Sequence, residues 1–205
     1  MVYREWEKIG KRVQDELVKR LTQLGEDAMN YAFEQGFKSV PRRSKNPEYL
    51  KKRGTKAWAD KSYTLRDNFV SAVYVDGKLI PESVKYLNDS PQSKYGRKFA
   101  EDLLARSRPM QGSGQLFIMV AAAPMYVAYL EQGRHRGGYK IRVISGASSY
   151  IREHIDEAVA GIYKRWGIRK PKYRVIRGDI RNTYYEYTAK GKQTIWMQIC
   201  LISQR

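Results

Sequence analysis

The side chains that could carry acid–base, nucleophilic or metal chemistry are few. Two histidines, His135 and His154, and a single cysteine, Cys200, are the whole complement of thiols and imidazoles. A lone thiol cannot form a disulfide within the chain, which suits a reducing compartment. With two imidazoles it also falls short of a four-ligand Cys/His zinc site, so no metal or other cofactor is expected. His135 stands in Arg134-His135-Arg136, where the neighbouring cations disfavour its charged form. General-base chemistry is open to it, but no acid lies near in sequence to orient it. His154 falls beside the apolar stripe of a helical pattern and reads as a satisfied structural histidine. Cys200, between Ile199 and Leu201, reads as a small buried hydrophobe. No serine occupies a G-x-S-x-G elbow, and no G-x-x-x-x-G-K-[ST] phosphate loop occurs. Asp76-Gly77-Lys78 has an acid–x–Lys spacing that a nuclease could use, yet a hairpin turn explains it better. The chain is therefore read as non-enzymatic.

Positive charge and aromatic surface are abundant. There are 39 Lys+Arg against 21 Asp+Glu, a net charge of +18, with 16 Tyr and 4 Trp. Such a surplus repels itself in a compact monomer and favours a polyanion or an acidic protein partner; composition does not choose between them. The cations gather in three places, which supply the candidate DNA- or partner-binding residues. One is the segment with Arg42, Arg43, Lys45, Lys51, Lys52 and Arg53. Another holds Arg134 and Arg136, and the third holds Arg169, Lys170, Lys172 and Arg174. Tyr63, Tyr139 and Tyr173 lie among them, as backbone contact with base stacking would require.

The elements that would position these groups follow from periodicity. Trp6, Ile9, Val13, Leu17, Leu21, Leu24, Ala28 and Tyr31 recur at three- and four-residue steps, predicting an amphipathic helix over about 3–35. Gly25 could bend or split it, and Gly36 suits its C-cap. Residues 37–63, rich in turn formers and cations, read as an exposed loop. Phe69–Val75, Asp76-Gly77 and a short run cut by Pro81 predict a hairpin, with Phe69, Ser71, Val73 and Val75 on one face. Arg97–Ser107 reads as a helix, and the apolar run 115–123 as a central strand covered on both faces. A short helix follows with Pro124 in its first turn. Tyr139–Ile144 is a candidate strand. Ser148-Ser149 suits the N-cap of a second long helix carrying Ile151, Ile155, Val159, Ile162 and Trp166, which Gly167 ends. Beyond it, Tyr184–Thr188 and Gln193–Ile202 predict a second hairpin.

The organisation expected is an α+β domain over residues 1–167, containing the basic loop 37–63, and a basic C-terminal β-hairpin extension over 168–205. Its sheet is small, mostly antiparallel, and flanked by a long N-terminal and a long C-terminal helix. No stretch approaches the ~18 apolar residues of a membrane span, and the N-terminus shows no apolar signal region. A soluble protein made in the cytoplasm, with no membrane partner, is expected.

Two stretches carry a family resemblance. Leu65-Arg66-Asp67-Asn68-Phe69, leading into the Asp76-Gly77 turn, looks like a "leucine–arginine–acid–x–large apolar" lead-in to a first hairpin. Ala122-Ala123-Pro124-Met125-Tyr126-Val127-Ala128-Tyr129-Leu130-Glu131-Gln132-Gly133 looks like a strand followed by "tyrosine–alanine–x–tyrosine/valine–glutamate–x–glycine". With the order of elements, they make residues 5–166 resemble the tail-completion, minor-tail-Z-like family of bacteriophage head–tail connector (neck) proteins. The chain departs from the family pattern at Tyr63-Thr64, where a threonine–glycine is usual, and at Gln132, where phenylalanine is common. Residues 168–205 run past the family's usual end.

The resemblance implies a structural virion protein without catalytic residues. It would be assembled in the host cytoplasm into an oligomeric ring of six or twelve copies at the head–tail junction. The ring would join portal or adaptor proteins to the tail around a DNA channel. Tyr126, Tyr129 and Trp166 are the candidate subunit-interface anchors, each of which could instead serve the subunit's own core. The alternative is a sequence-independent nucleic-acid-binding protein resting on the basic clusters alone.

Overall fold

The computed structural model describes residues 2–38, 63–107, 116–124, 127–132, 141–169, 172–179 and 195–202. Helix α1 (Val2–Lys38) takes its place from one apolar stripe: Val13, Leu17, Leu21, Leu24, Ala28 and Ala32 are all buried. It passes unbroken through Gly25 and also runs beyond Gly36, so neither glycine divides or caps it. Gly25 instead lets the helix lie close on the sheet. A Cβ there would meet Ser71 Cβ and Oγ at 2.9 Å and Ile118 Cδ1 at 3.2 Å.

A short helix α2 (Thr64–Asp67) leads into strand β1 (Phe69–Val75), which turns through Asp76-Gly77 into β2 (Lys78–Leu79). Both turn residues have positive φ, 51° and 78°. A two-residue hairpin loop that matches strand twist demands this conformation, and Asp-Gly supplies it. Pro81 then stops β2, and the chain makes a single 3₁₀ turn, Pro81–Ser83. The Ser83 hydroxyl accepts from the Val73 N–H at 2.8 Å and donates to Ile80 O at 2.6 Å, standing in for the strand partner that β1 lacks there. Strand β3 (Lys85–Tyr86) resumes pairing with Val70 and Ser71.

Helix α3 (Lys98–Arg106) precedes β4 (Leu116–Ala122); α4 (Val127–Gln132) and the long α5 (Ile144–Arg165) follow, then β5 (Lys172–Asp179) and β6 (Ile195–Ile202). All pairings are antiparallel in the order β2-β1-β4-β6-β5, with β3 also on β1. One face of the sheet (Phe69, Val73, Ile118, Val120) builds the main core with α1 and α5. The opposite face (Val70, Ala72, Tyr74, Met119, Ala121) packs against Ala100, Leu103 and Leu104 of α3. Strands β1 and β4 are thus covered on both sides, as the apolar run at β4 predicts. The fold is α+β: a small antiparallel sheet packed against two long helices, α1 and α5.

Helices α1 and α5 run antiparallel. Tyr31 meets Tyr150 at 5.0 Å between ring centroids near one end, and Arg165 meets Glu16 at 3.2 Å near the other. The exposed ion pair adds little; the packed stripe of Ile151, Ile155 and Val159 joins the pair.

Several local expectations are corrected. Residues 141–143 form no strand, and α5 begins at Ile144, so Ser148 and Ser149 lie inside the helix rather than at its cap. Ser148 is buried there, and a carboxylate from elsewhere caps the helix, as described below. Helix α4 is described from Val127, whose N–H donates to Pro124 O at 3.2 Å; residues 125 and 126 between them lie outside the described residues. The C-terminal antiparallel pair is β5 with β6, and β5 lies at 172–179; the expected strand Tyr184–Thr188 falls outside the described residues. Residues 168–205 are also not simply appended, because β6 pairs with the whole of β4, from Leu116↔Leu201 to Ala122↔Ile195.

Candidate functional site

The two family-like stretches become structural junctions. Asp67 ends α2 and Asn68 joins it to β1, both wholly buried. The Asp67 carboxylate accepts from Asn88 Nδ2 at 2.6 Å on one oxygen. Its other oxygen accepts the backbone N–H groups of Gln92 at 2.8 Å and Ser93 at 2.5 Å. A buried carboxylate is tolerated when such donors replace its water. Asn68 donates to Thr64 O and Gly96 O, and its Oδ1 accepts the Ala100 N–H at 3.0 Å. That N–H lies in the first turn of α3, so Asn68 caps a helix distant in sequence. Arg97 completes the assembly by donating to Asn88 O and Asp89 O and lying 4.0 Å over the Tyr86 ring. Burial raises the Tyr86 pKa, Glu101 raises it further, and Arg97 opposes.

Glu131, at the end of α4, does for α5 what Asn68 does for α3. Its Oε1 accepts the N–H groups of Ile144 at 2.5 Å and Ser145 at 3.0 Å, and its Oε2 accepts the Ser145 hydroxyl at 2.7 Å. A carboxylate at a helix N-terminus satisfies orphan donors and meets the positive end of the dipole. The glutamate of the second family-like stretch is thus a tie between the strand–helix unit and the second long helix.

The predicted binding residues are placed unevenly. Arg42, Arg43, Lys45, Lys51, Lys52, Arg53, Arg134, Arg136, Lys170 and Tyr126 lie outside the described residues. Arg169 is exposed just past α5. Lys172 and Arg174 lie on β5, the outermost strand, opposite Ile202 and Cys200. Tyr129 lies within α4. Trp166 is half-buried where α5 ends and packs against the main core, while its indole Nε1 is buried without a hydrogen-bond partner among the described residues. Arg169, Trp166 and the start of β5 therefore lie together in the chain around the end of α5.

Sequence reasoning missed Asn88, Gln92, Ser93 and Arg97. Their segment shows only turn chemistry, Asn88-Asp89-Ser90-Pro91, which signals a loop but not what holds it. His154 fits its structural reading: its Nδ1 lies 2.8 Å from Tyr150 O and its ring stacks on Tyr150 at 4.1 Å. Among the described residues no helix is long and apolar enough to cross a membrane, and no three His, Cys, Asp or Glu side chains gather as metal ligands would. No protein-family model, curated protein or solved structure matches the chain.

Proposed function

We propose that this chain is a structural subunit of the ring at the head–tail junction of a tailed bacteriophage, a tail-completion or neck protein. One observation carries the reading: the family-like stretches sit where the fold changes element. Leu65–Phe69 leads into the first hairpin, and Glu131 ties the central strand and its short helix to the second long helix. A ring subunit needs that kind of frame, because its work is geometric and its surfaces must stay in register. The edge position of β5, with Lys172, Arg174 and Arg177 in one strand, supports a role in pairing with an extended segment or meeting a polyanion.

The test is solution mass by light scattering together with negative-stain imaging. The purified chain is examined alone and co-expressed with the products of the genes flanking its own. A closed ring of six or twelve copies, or joint assembly with portal and tail proteins, is the expected result. The second reading, a sequence-independent nucleic-acid binder, rests on the +18 charge. It predicts a monomer or dimer that binds duplex DNA with an affinity falling steeply as salt rises. That outcome, without ring formation, overturns the proposal.

A further inference from the structure

Residues 88–96 form neither helix nor strand, yet side-chain hydrogen bonds tie them to the fold. Asp67 accepts a side-chain amide and two backbone N–H groups from the segment, Asn68 grips Gly96 O, and Arg97 bonds Asn88 O and Asp89 O. Ordering loop residues costs backbone entropy, and burying a carboxylate adds to that. Joining β3 to α3 requires no such arrangement. A loop held at this cost serves for its shape.

It presents Tyr95, 50% exposed. The Tyr95 ring leans on Phe99 at 5.4 Å, with the Lys94 ammonium 5.8 Å from its centroid. A half-open tyrosine on a supported loop is a usual protein-contact anchor. Local charge indicates the partner. Over residues 88–102 the cations Lys94, Arg97 and Lys98 are matched by Asp89, Glu101 and Asp102, so the segment is neutral within a chain of +18. A phosphate backbone gains little there. Copies of a strongly basic chain, in contrast, can approach closely only where charge is locally balanced.

We propose that the knuckle from Asn88 into the first turns of α3 at Asp102, presenting Tyr95, is where one copy of this chain touches the next. This deepens the ring reading above and rests on it. Three variants test it by light scattering across a dilution series, with thermal melting as the check on folding. Tyr95→Asp and Tyr95→Ala should raise the concentration at which the assembly dissociates by at least about tenfold, as loss of an interface anchor does. Glu101→Lys, which gives the neutral segment a charge of about +2, should weaken assembly at low salt and recover as salt screens it. Assembly by all three variants at the wild-type concentration overturns the inference while the ring reading stands. A wild-type chain that stays monomeric alone and with its genomic neighbours overturns both.

Discussion

At the scale of single residues, the carboxylate of Asp67 separates two explanations of its burial, charge and volume. It carries three hydrogen bonds, two of them to backbone N–H groups that have no obvious substitute acceptor. Asp67→Ala should cost about 3 kcal/mol, since it leaves buried donors unmet. Asp67→Asn should cost only about 1 kcal/mol, because its amide oxygen can serve Gln92 and Ser93 while Asn88 reverses its own amide. Urea denaturation gives both values, and faster amide exchange at Gln92 and Ser93 should accompany the larger loss. Equal losses would mean that the side chain only fills space. The aspartate itself stands out in the sequence, within Leu65-Arg66-Asp67-Asn68-Phe69, but its partners do not. They lie 21 to 26 residues away in a segment without periodicity. A second residue-scale consequence concerns Tyr163, whose pKa is raised by burial. The unfolded phenol ionises near pH ~10, and the folded one higher, so its contribution is intact below pH 10 and falls as pH rises through the interval between them. Tyr163→Phe should therefore flatten the alkaline fall in stability, read as urea midpoints between neutral pH and pH ~11. An unchanged slope would move the cause to other groups.

Elements with strong periodicity were legible, and those with mixed signals were not. Helices α1 and α5 and strands β1 and β4 announce themselves by spacing or by continuous apolarity. Strand β5 does not: Lys172, Arg174 and Arg177 interrupt its apolar positions and Gly178 weakens it, so backbone pairing with β6 decides its state. Residues 139–144 mislead in the opposite way. Ile141, Val143 and Ile144 look like a strand, but Glu131 caps the chain there and starts α5 at Ile144. Gly25 was legible as an exception within α1 but not in its purpose, which depends on Ser71 lying opposite. Gly25→Ala would gain up to ~1 kcal/mol of helix propensity and lose more to overpacking, for a net cost of about 1–2 kcal/mol. The double variant Gly25→Ala with Ser71→Gly removes both clashing atoms. It should recover most of the loss beyond the glycine's own penalty in a strand, measured as a double-mutant cycle in urea. Additive losses would show that α1 does not rest on β1 at that point.

At the scale of the whole molecule, composition and topology disagree about where the protein ends. The Lys- and Arg-rich run after α5, in which Asp179 is the only acid through residue 181, marks 168–205 as an appendage. The pairing marks it as part of the sheet, because β6 lies between β4 and β5 and matches β4 from Leu116 to Ala122. A composition break is visible in sequence, whereas pairing between strands more than seventy residues apart is not. The two descriptions predict different behaviour for a chain ending at Gly167. If the tail is an appendage, the shortened protein keeps its two-state unfolding and its solubility. If β6 completes the sheet, its loss opens the full edge of β4, seven apolar residues without a charge. Such an edge pairs with whatever it meets. The expected outcome is therefore aggregation on expression, or a soluble fraction with a broadened, less cooperative urea transition than the full chain. Solubility and circular dichroism of the shortened and full chains side by side make the measurement. A soluble, cooperative chain ending at Gly167 would return the tail to its compositional reading. It would also remove β5 from the surfaces through which a ring subunit could join its neighbours.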